Sequence, residues 1–406
     1  MVVCAFSFIA TVVFIMNRVI FHVDVNSAFL SWEATRRVAL GEPDLRLVPS
    51  AVGGDPKSRT SIISAKSIPA KKYGINTGEP VSLALRKCPE LIVVKPDFAL
   101  YRRCSADFIA ICRSYAPLLE QFSIDECFMD MTGTELIYPD IIATAHELKD
   151  KIRDELGFTV NVGIGSNKLL AKMASDFEKP DKVHTLFTNE IESKMWPLPI
   201  GDLLFAGKAA QSRLISNHIN TIGDLARLDE QYVKSLLGDK LGSGLYAFSH
   251  GIDDSPVSEE RDDAKSYSMA TTLEENVTSS EQAYEILHML AENVSAKMRH
   301  DKAFTTCVSV TIRSTEFVNK SHQKSLYNPT DVTIEIFEVA RELFDELWDG
   351  RTPLRLLNIG LSGITREEYT QMSLFEDPSR EKSRKIDKMM DGLHDKYGKN
   401  SIKRGI

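Results

Sequence analysis

The chain has 406 residues, enough for about two to four domains of ordinary size. Hydrophobic residues make up 43% and charged residues 26%, which excludes collagen-like, disordered and disulfide-scaffold classes. The 49 basic and 57 acidic residues leave a net charge of −8, which argues against a nucleic-acid partner only if the charge is spread evenly. The six cysteines include no C-x-x-C pair and no zinc-ligand spacing, so they read as reduced thiols.

Residues 1–16 are apolar and uncharged. They lack the basic start of a signal peptide and fall short of the roughly 20 residues of a membrane span. The expectation is an N-terminal extension and a protein with no membrane association. Arg18–Asn26 then reads as a strand covered on both faces, and Asp24 is a charge within that apolar run. Lys57–Lys87 is basic, net +6. Gln121–Thr132 reads as two short strands around the adjacent acids Asp125 and Glu126, and Ile141–Leu156 has helical periodicity. Thr159–Gly165 is a strand, after which Lys168 and Lys172 share one face of a helix capped by Ser166 or Asn167.

Residues 185–250 read as short helical segments, including Ile222–Leu228 and Gln231–Leu237. Residues 253–263 hold six acids and one Arg around a Pro and Ser, the pattern of a linker. Ser279–Lys302 predicts an amphipathic helix opened by a Ser279/Gln282 capping box. Phe304–Arg313 alternates, which places Phe304, Thr306, Val308, Val310 and Ile312 on one face. A helix at Val332–Trp348 and a strand at Leu354–Gly363 follow. The tail, 366–406, is polar with one short helix.

Adjacent acids repel, so a hairpin presenting Asp125 and Glu126 near Asp24 invites a cation. Oxygen donors without His or Cys suit Mg²⁺, and two such ions would serve phosphoryl transfer. Taken alone, Asp24 is equally a turn cap and the Asp125-Glu126 pair reads first as an ordinary hairpin tip; only their combination points to a site.

Phe21–Leu30 (FHVDVNSAFL) and Ser123–Asp130 (SIDECFMD) resemble the two catalytic motifs of the Y-family, translesion DNA polymerases, closest to the bacterial DNA polymerase IV group. The resemblance runs from about Met16 to Asp377. It implies an α/β (α+β) right-hand polymerase with a ferredoxin-like palm and small fingers over 17–185, the fingers at about 31–90. A helix-hairpin-helix thumb over 186–252, a linker at 253–265, an α/β little finger at 266–365 and a tail would follow. The implied activity is template-directed addition of dNTPs to a primer 3′ end by two-metal transfer with two Mg²⁺ ions, in low-fidelity damage tolerance, by a cytoplasmic monomer. Asp24, Asp125 and Glu126, with the Val25 carbonyl, would hold the metals, and Glu126 would be catalytic. Phe29 would be the steric gate against ribose, and Lys168 and Lys71 would contact the nucleotide.

The family's usual Tyr and Arg are here Ile68 and Lys71. Residues 203–219 resemble the thumb hairpin, but Phe205 and His218 stand where glycine is usual. Gln371, Leu374 and Phe375 (QMSLF) look like the peptide that binds the bacterial sliding clamp, the bases from Lys297 to Lys324 would meet primer–template DNA, and those beyond Pro378 would make a further contact with DNA or a partner. Two rivals remain: another two-metal palm enzyme such as a nucleotidyl cyclase, and a catalytically altered, clamp-recruited DNA-binding scaffold of the same fold.

Overall fold

A computed structural model describes residues 18–260, 262–367, 378–398 and 401–402. The clamp-like peptide at 371–375 therefore lies outside the described residues, as does the N-terminal extension. The chain forms two compact units, 1–57 with 61–261 and 58–60 with 262–406; the division falls inside the acidic linker.

In the first unit, β1 (Ile20–Val25) leads into α1 (Ala28–Ala39), then β2 (Ser50–Gly53), β3 (Ile63–Lys66), α2 (Ile68–Lys71), α3 (Val81–Lys87) and β4 (Ile92–Val94). Next come α4 (Phe98–Arg113), β5 (Leu118–Gln121), β6 (Glu126–Asp130), α5 (Ile141–Leu156), β7 (Val160–Gly165), α6 (Lys168–Ser175) and β8 (Val183–Leu186). The main sheet has the order β5-β6-β1-β7-β8, and β1 runs antiparallel to both β6 and β7. Without β8 this is the βαββαβ arrangement of a ferredoxin-like palm. A separate sheet, β3-β2-β4, builds the fingers with α2 and α3.

As the central strand, β1 is covered on both faces. Phe21, Val23 and Val25 enter a large core with Trp32, Tyr101 and Phe108, while Ile20 packs with Phe128 and Ala171 on the opposite side. By strand alternation His22 and Asp24 share that second face with Ile20. There α6 lies unusually close to β7. A Cβ on Gly163 would stand 2.0 Å from the Ala171 carbonyl oxygen and 2.4 Å from the Ser175 nitrogen. One on Gly165 would stand 2.6 Å from the Ala171 nitrogen. Only glycine permits this approach, which brings Lys172 and Ser175 down onto β1 and β6.

The linker is bound to the first unit along part of its length. Val257 is buried with Ile20 and Phe128, the Asp253 carboxylate caps the Leu169 N–H at 3.1 Å, and Glu120 accepts from the Ser258 N–H at 3.0 Å.

The thumb comprises α7 (Lys208–Ile215), α8 (Ile222–Ala226), α9 (Glu230–Leu237) and α10 (Asp239–Ser249) around an apolar cluster shared with α6. Phe205 and His218, at the two positions expected to be glycine, both have left-handed backbone, with φ of 67° and 62°. The turns are kept although a Cβ there costs about 1–2 kcal/mol.

The second unit runs β9 (Tyr267–Val277), α11 (Ser280–His300), β10 (Phe304–Ser314), β11 (Asn319–Thr330), α12 (Thr333–Leu347), β12 (Leu354–Thr365) and α13 (Pro378–Tyr397). Its antiparallel sheet has the order β11-β10-β12-β9. The unbroken pairing of β10 with β12 keeps Phe304, Thr306, Val308, Val310 and Ile312 on one face, as the alternation predicts; Phe304 and Thr306 are half-exposed at the strand's start, and Thr305 and Cys307 are buried on the other face. Three sequence expectations need correction. The capping box is only half formed: Ser279 accepts from the Gln282 N–H, but Gln282 Oε1 accepts from Thr278 rather than Ser279. The tail helix is long, with 20 residues, and it is pinned to its own unit. Arg299, expected to face DNA, is buried against Asp391 at 2.7 Å, while Arg380 and Arg384 pair with Glu335 and Asp331.

The close approach of α6 sets a stability prediction. Gly163→Ala should cost about 3 kcal/mol or more, because the added methyl meets backbone that cannot give way. Urea denaturation of the variant checks this, and a change under about 1 kcal/mol would mean that α6 can shift freely.

Candidate active site

The sequence places two acids at the start of β6 and one near the end of β1, and the sheet register brings them together. Asp24 pairs in register with Glu126, and the Val25 N–H donates to the Asp125 carbonyl at 2.9 Å. The Asp125 side chain accepts from Ser123 Oγ at 2.5 Å. All three acids are thus adjacent across 101 residues of chain.

Each of the two strand carboxylates is answered by a cation. Lys179 pairs with Asp24 and also reaches Asp176 at 2.8 Å. Lys172 Nζ lies 2.5 Å from Glu126 Oε2, and His22 Nε2 is 2.9 Å from the same oxygen. Burial pushes the Asp24 carboxyl up, and the Lys179 charge only partly offsets that. Burial also opposes the charge on Glu126, but the hydrogen bonds and charges of His22 and Lys172 outweigh it and hold the carboxyl down at about 2. Burial lowers the pKa of His22, whose ring is wholly enclosed.

Beside these groups a cleft of about 490 Å³ opens between palm and fingers. It is lined by Asp24, Val25, Phe29 and Asp125 on one side, by Lys66, Ile68 and Lys71 of the fingers, and by Lys179. Phe29 lies in the first turn of α1, just after Ser27, whose φ is 48°. Its ring stacks on Tyr101 at 4.7 Å and 13°, and Tyr101 donates to the buried Glu33 at 3.0 Å. Phe29 is therefore part of the aromatic core on one side and of the cleft wall on the other.

Lys168 is not among the residues lining the cleft. Its ammonium lies 2.7 Å from both oxygens of Glu120, the carboxylate that also holds the linker, and 4.9 Å from the Phe128 ring centroid. It is placed to fasten the linker to the palm. The cleft lysine that spacing did not single out is Lys179, in the loop after α6. His22 and Ser175 were also missed, because nothing in a strand or helix pattern marks a buried His as a partner of a distant acid.

The donor set has the right chemistry for a divalent cation: three carboxylates and a main-chain carbonyl, all hard oxygen. As the side chains stand, no three described His, Cys, Asp or Glu groups are close enough to share an ion, because lysines hold two of the carboxylates. The residues fit the group once a cation replaces an ammonium.

The chain resembles known proteins along most of its length. Residues 23–176 match the impB/mucB/samB family, residues 264–374 match its C-terminal domain, and residues 206–253 match the DNA polymerase-iota thumb domain. DNA polymerase IV of Clostridium acetobutylicum is 44% identical, over 96% of this chain and 98% of that protein. DNA polymerase IV 1 of Bacillus subtilis is 36% identical, over 96% and 93%. A solved Y-family DNA polymerase chimera superposes with a TM-score of 0.73 over 86% of this chain and all of that one, at 20% identity.

The low carboxyl pKa of Glu126 predicts a pH effect on metal-free protein. A carboxyl held near 2 when folded and near 4.5 when unfolded adds stability that is full above pH 4.5 and lost as pH falls from 4.5 towards 2. Glu126→Gln should flatten that part of the stability curve, measured by urea denaturation in EDTA at stepped pH. An unchanged slope would contradict the ion-pair account.

No described helix is long and apolar enough to cross a membrane. With catalytic-motif acids joined at the centre of a ferredoxin-like palm, and relatives matching along nearly its whole length, the chain belongs to the Y family of translesion DNA polymerases and is a DNA-directed DNA polymerase.

Proposed function

We propose that the enzyme extends a primer on template DNA with dNTPs by two-metal phosphoryl transfer, in the cytoplasm and as a monomer. The convergence of Asp24, Asp125 and Glu126 beside a basic cleft carries the reading. Two Mg²⁺ ions, held by these acids and the Val25 carbonyl, would supply charge neutralisation and a more acidic primer hydroxyl. The protein's own part is positioning. Lys179 and Lys71 offer ammonium groups to the triphosphate from opposite sides of the cleft, and Lys71 does so as a point charge rather than a bidentate fork. Ile68 adds an exposed apolar wall where it cannot donate a hydrogen bond. Phe29, backed by Tyr101, cannot retreat, so its ring meets the sugar and opposes a ribose 2′-hydroxyl.

DNA would lie on the face of the second unit's sheet turned away from α11 and α12. Cys307, Ser309, Thr311 and Arg313 of β10 share that face with Ser321, Gln323 and Ser325 of β11 and Asn358, Gly360 and Ser362 of β12, a mostly small and polar set that allows close backbone approach. Arg313 supplies positive charge on that face, whereas Lys320 alternates to the α12 side with Lys324, which is paired with Glu342. The thumb turns at Phe205 and His218 keep a backbone able to present N–H groups to phosphate.

Extension of a labelled primer with dNTPs and Mg²⁺ tests the reading. Wild type should extend it, Asp125→Ala should lose at least about a hundredfold, and Phe29→Ala should admit ribonucleotides. Failure of wild type to extend would favour the scaffold reading, and a cyclic product from nucleotide alone would favour a cyclase. Recruitment by the sliding clamp through Gln371, Leu374 and Phe375 is tested separately. Deleting 371–375 should abolish clamp stimulation and spare basal extension; equal loss of both would remove the assignment.

A further inference from the structure

The Glu126 carboxylate is held unevenly. Lys172 and His22 both meet Oε2, and Oε1 has no partner among the described residues. The two donors differ in kind. Lys172 ends a long flexible stem, with 17% of its side chain exposed. His22 is wholly buried in the central strand and packs on Phe128 at 4.7 Å. A cation or a substrate that competes for Glu126 can displace the lysine, but it cannot displace the histidine.

Beyond His22 lies Ser175, the last residue of α6, with Oγ 2.7 Å from Nδ1. For a neutral His22 ring, proton counting gives one arrangement. An ionised carboxylate only accepts, so Nε2 must carry the hydrogen that points at Glu126. A neutral ring has one N–H, so Nδ1 is then an acceptor and the Ser175 hydroxyl must donate to it. The Lys172 carbonyl, 2.8 Å from the same hydroxyl, competes for that single proton. If it won, Nδ1 would need its own hydrogen, and the ring would be a buried cation.

We propose that His22 is a positioning residue for catalysis: it fixes Oε2 of Glu126 through Nε2–H, and Ser175 selects the tautomer that makes this possible. The inference rests on Glu126 being part of the reactive site. It also gives the close packing of α6 on Gly163 a purpose, since that packing delivers Ser175.

Kinetics on a primer–template with dNTP and Mg²⁺ provide the test, with Glu126→Gln as the reference. His22→Leu and Ser175→Ala should lower kcat by about 10–100-fold, the range seen when an outer partner of a reactive carboxylate is removed. The KM for dNTP should stay within about twofold, since neither residue lines the cleft. His22→Gln, which keeps an N–H donor, should recover most of the loss. In protein labelled with ¹⁵N-histidine, the His22 signals, identified by their disappearance in His22→Gln, should be those of the Nε2–H tautomer. Ser175→Ala should mix the two tautomers. Because Ser175→Ala removes one atom, it remains informative if His22→Leu fails to fold. Undiminished kcat in Ser175→Ala, an imidazolium signal in wild type, or a pure tautomer without Ser175 would each overturn the proposal. Full activity in Glu126→Gln would instead remove the site reading and the proposal with it.

Discussion

The arrangement turns on placing carboxylates at the edge of a buried central strand. Asp24 and Glu126 face each other across β1 and β6, where burial disfavours charge on both. The fold answers with groups from one source, α6 and the loop after it: Lys172 to Glu126, Lys179 to Asp24, and Ser175 to the histidine beside them. That helix can come close enough only because β7 carries glycine at 163 and 165. A backbone feature on one strand therefore sets the electrostatics of its neighbours.

The same economy of placement recurs in the cleft wall. Phe29 is exposed enough to meet a ligand, yet it is fixed by a stacked Tyr101 whose hydroxyl is tied to buried Glu33. Rigidity at the site is thus inherited from the core. In the thumb, by contrast, Phe205 and His218 adopt turns that glycine would make without strain. The surrounding hydrogen bonds, such as Ile219 N–H to Leu214 carbonyl at 3.1 Å, over-determine the turn.

The acidic total also has a structural reading. The excess sits in Glu120–Glu155 and in the linker, and both are partly neutralised locally. Glu120 holds Lys168 and the Ser258 N–H, and Asp253 caps α6. The basic stretches differ among themselves. The fingers present Lys66 and Lys71 to the cleft, whereas Arg299, Arg380 and Arg384 are used to dock the tail helix. Local charge in a sequence window does not say whether a side chain faces solvent or a partner within the fold.

The sequence by itself determined the strand around Asp24, the acidic hairpin, the amphipathic helices of the second unit and the family. Apolar periodicity and short motifs act over a few residues, and that is the range over which sequence patterns are direct. Tertiary structure alone decided which lysine serves which acid. Lys168 shares its helix face with Lys172, yet it turns to Glu120, while Lys179, 155 residues from Asp24, completes the cleft. It likewise decided the docking of the tail. Such pairings depend on the distance of approach between elements far apart in the chain, a quantity set by packing of the whole unit and absent from any local window.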